Sequence, residues 1–413
     1  MDDQTSWISQ CVNTITNGPA EPGPFSDLID NTNKELSSIS MNLILPDDLL
    51  ERILSHLPVA SLIRARSVCK KWNGLVTSKT FLCNNNNPQA QAQAQKPWYF
   101  MFTSSDEPTG FAFDPSLKKW HALDLPRIES PNWFVSSSSG LVCFMDNETR
   151  AGLYVCNPIT GLCQALQFGP GPKSPDYSTL AILADRAGQG YEVSVVMSKQ
   201  VPSDFYRWDL SIHLYESGSG SWATAHKETL TGWRAGDESV ICGGSLCFLI
   251  YSTGGFGPGP ESRHGLVLYD LEKRAREVGP VLMRSFVPVP CALTCGRLMN
   301  LDERLVMVGG IGRHDRPDII KGIGIWALKG REWEEVARMP HRYFQGFGEL
   351  DDVFASSGTG GIVYIQSYGA PALLIFDFKL RQWKWAQKCP VAKRFPLQLF
   401  TGFCFEPRLE ISP

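Results

Sequence analysis

Residues 113–120 read FDPSLKKW, in which an aromatic residue is followed seven positions later by tryptophan. Such a segment is typical of two strands joined by a tight turn. Its recurrence along the chain indicates a repeat architecture. Five further copies occur, three of them complete and two with one or both end residues replaced: CNPITGLC at 156–163, YESGSGSW at 215–222, YDLEKRAR at 269–276, WALKGREW at 326–333 and FDFKLRQW at 376–383.

Short runs rich in Val, Ile, Phe, Tyr and Trp surround each copy and alternate with Gly, Pro, Asp and Ser. Upstream of most copies lies another apolar run introduced by small residues, such as GLVCF at 140–144 and GIVYI at 361–365. Three or four strands per unit, in six units whose starts lie 43 (113 to 156) to 59 (156 to 215) residues apart, predict a six-bladed all-β propeller. The aromatic and tryptophan residues should pack between blades, because one blade cannot bury both of its faces alone.

The ends of this region predict how the ring closes. The first unit has only three strand-like runs, at 98–103, 111–114 and 120–123, whereas 397–405 is a spare run behind the sixth unit. We expect 397–405 to complete the first blade, because closure removes an exposed sheet edge. An ordinary last strand of the sixth blade is the alternative.

Composition divides the chain into four regions. Residues 1–40 are polar and poor in apolar residues, which predicts a disordered N-terminal tail. Residues 41–83 show dense helical periodicity. Residues 84–96 are rich in Asn, Gln and Ala and predict a linker, and 97–413 form the propeller.

The helical region contains LPDDLLERILSHLPVASLIRARSVCKKWNGL at 45–75. Asp47 or Asp48 can cap a helix that follows Pro46, and Ser61 can cap the next helix. Apolar residues recur at helical spacing in both segments. A module of about 40 residues is marginal on its own, so its apolar surface predicts a partner.

The residues of this module resemble the F-box family in order and spacing: Leu45-Pro46, Leu49-Leu50, Ile53-Leu54, Leu57-Pro58, Leu62, Arg66, Val68-Cys69-Lys70 and Trp72. The resemblance implies a three-helix F-box that docks on a Skp-family adaptor and, through it, on a cullin and a RING subunit. The residues that it places at the adaptor are Leu45, Pro46, Leu49, Leu50, Ile53, Leu57 and Pro58. It gives Leu54, Val68 and Trp72 the role of holding the helices together.

The repeat region resembles the kelch family through its aromatic-to-Trp spacing and through the double glycines Gly309-Gly310 and Gly360-Gly361. The glycines at 309–312 are interpreted as a tight turn, since no helix pattern follows them. Together the two regions are similar to plant F-box/kelch-repeat proteins. This implies the substrate-recognition subunit of an SCF-type (Skp, cullin, F-box) E3 ubiquitin ligase, whose propeller captures a protein target for ubiquitination and proteasomal degradation.

The sequence carries no recognisable pattern for catalysis or for cofactor binding. The seven histidines fall into no metal-ligand spacing, and neither a nucleophile elbow nor a phosphate-binding loop occurs in the sequence. The formal net charge of -3 does not favour nucleic-acid or membrane partners. We therefore expect a non-catalytic receptor with no catalytic residues, metal or cofactor.

The twelve cysteines are expected to be reduced. The N-terminal residues carry no secretory signal, and cysteines of proteins that stay inside the cell rarely pair. The expected location is the nucleus, the cytoplasm or both.

One propeller face is expected to bind the target. The loops that follow the second and fourth strands of each blade share this face and are rich in aromatic residues and arginine, the residue types that dominate binding hot spots. Clustered arginine favours an acidic or phosphorylated target. The residues of the face are Phe205, Tyr206, Arg207, Trp208, Trp233, Arg234, Arg263, Arg313, His314, Arg316, Arg342, Tyr343, Phe344 and Phe347.

Three other functions stay open from the sequence. The chain could bind the adaptor as a scaffold without a role in ubiquitination. It could sequester a substrate outside any ligase. It could also be a propeller enzyme that carries a recruitment module.

Overall fold

A computed structural model of the chain describes residues 45–78, 80–82, 96–102, 109–125, 133–146, 152–167, 175–186, 190–254, 264–272, 282–312, 319–345, 354–368, 370–390 and 401–413. The chain divides into two compact units, residues 1–95 and 96–413. The tail predicted at 1–40 lies outside the described residues, as does the predicted linker up to residue 95. Among the described helices, none has the length and apolarity that a membrane crossing requires.

The first unit contains α1 (Asp47–Ser55), α2 (Val59–Arg66) and α3 (Lys70–Val76). The N-cap positions of α1 and α2 are Pro46 and Pro58, without side-chain caps. The predicted capping by Asp47, Asp48 or Ser61 is therefore wrong. Proline suits a helix start because its missing N–H would have no partner there, and the two aspartates in the first turn of α1 still interact favourably with the helix dipole.

Polar contacts tie the three helices together. Lys71 Nζ lies 2.6 Å from Asp47 Oδ1 and joins α3 to α1. Arg66 Nε donates to Asn73 Oδ1 at 3.1 Å and joins α2 to α3. The apolar residues that are buried in this unit are Leu50, Leu54, Val59, Ala60, Leu62, Ala65, Val76 and Phe81.

The second unit is a ring of six four-stranded antiparallel blades. From the inner to the outer strand, blades 1 to 3 are β24 (Gly402–Phe405), β1 (Trp98–Phe102), β2 (Thr109–Asp114), β3 (Lys119–Asp124); β4 (Trp133–Ser138), β5 (Leu141–Asp146), β6 (Leu153–Cys156), β7 (Cys163–Leu166); and β8 (Tyr177–Ala184), β9 (Tyr191–Val201), β10 (Asp204–Glu216), β11 (Ser221–Thr231). In the same order, blades 4 to 6 are β12 (Trp233–Cys242), β13 (Ser245–Ser252), β14 (His264–Asp270), β15 (Phe286–Pro288); β16 (Leu293–Asn300), β17 (Leu305–Gly312), β18 (Ile320–Lys329), β19 (Glu332–Arg338); and β20 (Phe354–Thr359), β21 (Ile362–Ser367), β22 (Leu373–Asp377), β23 (Gln382–Trp385). A 3-10 helix, Leu282–Ser285, precedes β15, and a short helix α4, His341–Gln345, precedes β20. The fold is the predicted F-box-like helical unit followed by a six-bladed propeller.

The C-terminal strand closes the ring. β24 pairs antiparallel with β1, for example Tyr99 with Cys404, and so forms the inner strand of blade 1. The rings of Phe403 and Phe100 lie 5.3 Å apart, and Phe403 also contacts Phe144 of blade 2. Residues 397–400 of the predicted closing run lie outside the described part of the chain.

Hydrophobic clusters occupy the spaces between blades 2 and 3, 3 and 4, 4 and 5, 5 and 6, and 6 and 1. The repeat tryptophans bridge these spaces, as predicted. Their indole N–H groups donate to backbone carbonyls of the preceding blade region: Trp120 to Gln387, Trp222 to Gln167 and Trp333 to Pro288, at 2.8, 2.6 and 3.0 Å.

Two expectations about the repeats are wrong. Cys156 and Cys163, which lie opposite each other on β6 and β7, form a disulfide bond, so not all cysteines are reduced. This bond takes the place of the ring pair that Phe113 and Trp120 form in blade 1. Gly309-Gly310 is a buried part of β17 and not a turn. Glycine is needed at 310, because a Cβ there would clash with Thr294 Oγ1.

Candidate functional site

Helix α1 carries two apolar stripes with opposite exposure. Leu50 and Leu54 are 3% and 1% exposed, whereas Leu49 and Ile53 are 45% and 51% exposed. Residues four apart lie on the same side of a helix. Leu49 and Ile53 therefore present one apolar surface to solvent, and its burial against a partner can contribute about 1.5–3 kcal/mol per side chain.

The other residues expected at the adaptor fall into two groups. Pro46 and Pro58 are exposed, and Leu45 and Leu57 are half-buried. Leu50 departs from the expectation, because its side chain is already buried and is not available as a surface contact.

The residues expected to hold the helices together also divide. Leu54 is buried and Trp72 is half-buried. Val68 is 62% exposed, so the core role predicted for it is wrong. Val68 lies just after α2, where the chain turns towards α3 and leaves its side chain in solvent.

The hairpin between β9 and β10 extrudes residues from blade 3 on the predicted target face. Asp204 pairs with Val201, but Trp208 pairs with Gln200, so residues 205–207 have no partner on β9. An insertion of this kind redirects side chains away from the sheet.

The extruded segment carries two exposed aromatic side chains. Phe205 is 76% exposed and Tyr206 is 52% exposed. Neighbouring Trp208 is buried instead, with its ring 5.7 Å from that of Tyr177. Trp233 is half-buried, and its ring lies 5.3 Å from that of Phe286. Of the residues predicted in blades 3 and 4, Trp208 and Trp233 thus support the face, whereas Phe205, Tyr206 and Arg207 are exposed.

Arg234 lies over an aromatic ring beside this segment. Its guanidinium carbon is 3.6 Å from the centroid of Tyr177 and 5.1 Å from that of Tyr251. Its Nη1 donates to Ala235 O at 3.1 Å. Stacking holds the planar group in one orientation.

The remaining predicted residues belong to blades 5 and 6. Arg342 on α4 is exposed, and its guanidinium carbon lies 4.9 Å from the ring of Tyr343. Tyr343 donates to Trp383 O at 2.9 Å, and Phe344 packs on the cluster between the two blades. Five residues of the predicted face lie outside the described part of the chain: Arg263, Arg313, His314, Arg316 and Phe347.

A central channel of about 1000 Å³ runs along the inner strands. Polar side chains join all six neighbouring pairs of inner strands around it. Ser137 Oγ donates to Cys404 O between blades 1 and 2, Ser136 Oγ and Ser138 Oγ accept from Ile182 N and Ala184 N between blades 2 and 3, and the hydroxyls of Thr179 and Ser239 bond between blades 3 and 4. Glu238 pairs with Arg297 between blades 4 and 5, Arg297 Nε donates to Phe354 O between blades 5 and 6, and Ser357 Oγ accepts from Cys404 N between blades 6 and 1.

The contact between blades 4 and 5 differs from the others because it is ionic. Arg297 Nη1 lies 2.7 Å from Glu238 Oε1 and 3.8 Å from Asp237 Oδ2. Burial raises the pKa of Glu238 to about 7, although Arg297 and the hydrogen bond from Leu298 N oppose the shift. Sequence reasoning missed this pair, because the two side chains are 59 positions apart and each stands alone within a strand.

Metal chemistry receives no support from the described residues, among which no group of three or more His, Cys, Asp or Glu side chains could hold an ion. What the two surfaces offer is recognition: an exposed aliphatic pair on α1 and an aromatic and arginine-rich face on the propeller.

Comparison with known proteins agrees with both parts of the fold. The F-box domain family matches residues 42–84, and the Kelch motif matches residues 292–340. "F-box/kelch-repeat protein At3g61590" from Arabidopsis thaliana is 57% identical over 100% of both chains.

More distant relatives cover most of the chain as well. "SKP1-interacting partner 15" from Arabidopsis thaliana is 25% identical over 89% of this chain and 98% of its own length. "Protein ABERRANT PANICLE ORGANIZATION 1" from Oryza sativa subsp. japonica is 26% identical over 88% of each chain. With a full-length match at 57% identity, and with the helical unit and six-bladed propeller in place, the chain belongs to the plant F-box/kelch-repeat proteins.

Proposed function

We propose that this protein is the substrate-recognition subunit of an SCF-type E3 ubiquitin ligase. Its F-box docks on a Skp-family adaptor, which connects it to a cullin and a RING subunit. Its propeller captures a protein target for ubiquitination and proteasomal degradation. The observation that carries the proposal is the exposed Leu49 and Ile53 pair on α1 of a matched F-box domain.

Family membership supports the proposal. F-box/kelch proteins are generally substrate receptors of SCF ligases, and F-box proteins bind Skp1-type adaptors. One relative of this chain is itself named as a SKP1-interacting partner. The surface expected to contact the adaptor comprises Leu45, Pro46, Leu49, Ile53, Leu57 and Pro58, with Leu50 buried beneath it.

The mechanism is proximity. One chain holds the target while its F-box is held by the ligase, so that ubiquitin transfer becomes effectively intramolecular. The recruited conjugating enzyme supplies the chemistry, and this chain acts as a receptor without catalytic residues. Residues 84–96 act as the linker that sets the reach between the two units. The protein works in the nucleus, the cytoplasm or both.

The target binds the propeller face formed by the loops after the second and fourth strands. In this proposal Tyr206, Arg234 and Arg342 contact the target. The residues that support the face from beneath are the buried Trp208 and the half-buried Trp233, Tyr343 and Phe344. The contribution of Arg313, His314 and Arg316 belongs to the same proposal and rests on the sequence alone.

Adaptor binding tests the proposal. Recombinant Skp-family adaptor should bind the full chain tightly, and the Leu49→Ala/Ile53→Ala double variant should bind at least about a hundredfold more weakly, since each buried aliphatic contributes about 1.5–3 kcal/mol and 1.4 kcal/mol is tenfold. Isothermal titration calorimetry gives both constants. A matched control is Leu162→Ala/Leu380→Ala, which removes two exposed leucines from the propeller and should leave adaptor affinity unchanged.

Two outcomes would contradict the proposal. A folded wild-type chain that does not bind the adaptor would leave a stand-alone, sequestering propeller as the better interpretation. Adaptor binding without target stabilisation when the proteasome is inhibited would instead indicate a scaffold.

A further inference from the structure

The exposed aromatic residues of blade 3 and Arg234 of blade 4 form one continuous surface. Gly232 connects them, because its N–H donates to Tyr206 O at 2.6 Å and its carbonyl accepts from Thr253 N at 2.9 Å. Two residues later, Arg234 pairs in register with Tyr251. We call this surface the aromatic patch and define it by Tyr177, Phe205, Tyr206, Arg234 and Tyr251.

Tyr206 is held in place by its contacts and is not merely exposed. Tyr206 N donates to Asp204 Oδ1 at 3.0 Å. The Tyr206 ring lies against Gly254, where a Cβ would come within 2.8 Å of it. A side chain that is ordered before binding loses less conformational entropy when a partner covers it. Tyr206 is therefore suited to anchor an apolar group of a partner, and the exposed ring of Phe205 beside it adds apolar surface.

Arg234 is the cation of the patch. Within the described ranges, no acidic side chain lies within ion-pairing distance of Arg234. By contrast, carboxylates pair with three other arginines: Arg297, Arg338 and Arg408. An arginine that is stacked, oriented and without an acidic partner fits a planar carboxylate of a binding partner.

The charge around the patch favours a single carboxylate over a phosphate. Asp176 precedes Tyr177, and Asp237 accepts a hydrogen bond from Tyr251 at 3.2 Å. These acids repel a dianion more strongly than a monoanion. Phosphate readers also cluster several arginines around one group. Among the described residues, the extruded segment adds one further arginine, the exposed Arg207 next to Tyr206, and of the two it is Arg234 that lies over a ring.

We propose that the aromatic patch is the part of the propeller face that recognises the target. It binds a linear segment with an Asp or Glu next to a large apolar side chain. The inference deepens the proposed function and rests on it, because it names the chemistry of the target that the receptor captures. Arg234 binds the carboxylate, and Phe205 and Tyr206 cover the apolar side chain.

A random peptide library provides the probe. Linear dodecapeptides displayed on phage are selected on the full-length chain, and the enriched peptides are measured by fluorescence anisotropy. We expect the enriched sequences to combine an acidic residue with Phe, Tyr, Trp, Leu or Ile. Arg234→Gln and Phe205→Ser/Tyr206→Ser should each weaken binding by roughly tenfold or more, as hot-spot residues do. Arg234→Lys should restore only part of the affinity, because lysine cannot stack as a planar group.

Matched variants separate the patch from general charge. Arg381→Gln removes an exposed arginine from the turn between β22 and β23, outside the residues assigned to the target, and should leave peptide affinity unchanged. Changing the acidic residue of a selected peptide to Gln should abolish binding, and changing it to phosphoserine should weaken binding. Tighter binding of the phosphoserine peptide would overturn the assignment of a carboxylate. Enrichment of no acidic, apolar peptides, or wild-type affinity in the Arg234 and Phe205/Tyr206 variants, would overturn the site.

Adaptor titrations on the same variants distinguish this inference from the proposed function. The patch variants should bind the adaptor like the wild type. Failure of the wild type to bind an adaptor would reject the ligase role while leaving the peptide result intact. Melting curves of all variants show whether each chain is folded.

Discussion

The two units of this protein bury their large apolar side chains to different extents. The propeller buries nearly every one that its strands carry: all residues of β1, β17 and β21 are buried. The short helices of the first unit leave Leu49, Ile53 and Val68 largely exposed. A closed ring hides both faces of every blade, whereas a three-helix module has too little interior to do so. The exposed aliphatic residues of the small unit and the few exposed aromatic residues of the large one therefore indicate where partners bind.

The largest expected difference in stability within the propeller is between substitution of a buried phenylalanine and substitution of an exposed one. Phe403→Ala in the closing strand should lower the free energy of unfolding by about 3–5 kcal/mol, because it leaves a cavity between blades 1 and 2. Phe205→Ala in the exposed hairpin should change it by less than about 0.5 kcal/mol. Chemical denaturation followed by tryptophan fluorescence measures both. Equal losses would mean that β24 does not hold the ring closed.

The two stripes of α1 permit the same comparison within one helix. Leu54→Ala should destabilise the helical unit by about 2–5 kcal/mol, because Leu54 is buried. Leu49→Ala should leave the unit folded and act only on adaptor affinity. Hydrogen exchange of the α1 amides reports the stability of this unit without interference from the propeller. Loss of amide protection in Leu49→Ala would show that the outward stripe is structural.

Blade 2 tests whether a covalent bond substitutes for an aromatic pair. Reduction of Cys156–Cys163, or the Cys156→Ala/Cys163→Ala variant, should lower the free energy of unfolding by about 2 kcal/mol, since the bond closes a short loop in the unfolded chain. Denaturation with and without a phosphine reductant measures the change, and alkylation with mass spectrometry counts the thiols. The reductant should have no effect on the double-alanine variant. A wild-type chain with both thiols free before reduction would contradict the bond.

The ionic contact between blades 4 and 5 should make stability depend on pH. The pKa of Glu238 is about 7 in the folded chain and 4.5 as its ordinary value, so the folded state holds this proton more tightly than the unfolded state. The stabilisation from this group is complete below about pH 4.5 and is lost as the pH rises through 7, by on the order of 3 kcal/mol. Thermal melts from pH 5 to 8 should therefore show a downward slope that Glu238→Gln removes.

The level of stability is not the test for that variant, because Gln removes the carboxylate that lies nearest to Arg297 among the described residues and leaves the more distant Asp237, which destabilises the chain at every pH. An identical slope in wild type and Glu238→Gln would assign the pH dependence to other groups.

Much of the architecture followed from local pattern. The six repeats predicted the blades, because residues such as Phe113 and Trp120 lie opposite each other on strands joined by a turn. The order of leucines and prolines predicted the helical unit. The sequence could not predict which leucines of α1 face inwards. Leu49 and Leu50 are adjacent and equally apolar, and only the packing of the neighbouring helices buries one and exposes the other.

The candidate sites were predicted as regions and not as contacts. The aromatic and basic loops indicated the target face, but the extrusion of residues 205–207 depends on the register between β9 and β10. Likewise, the stacking of Arg234 on Tyr177 joins the inner strands of two different blades.

By itself, the sequence determined the two units, the number of blades and the family, because each of them follows from the spacing of residues that lie close together in the chain. Only the tertiary structure decided which leucines of α1 face outwards, that Cys156 and Cys163 are bonded, and that Glu238 meets Arg297 across blades 4 and 5. The physical reason is that the burial of the α1 leucines and the pKa of Glu238 depend on packing neighbours from other elements, and that the bond between Cys156 and Cys163 depends on the geometry of their side chains across a hairpin.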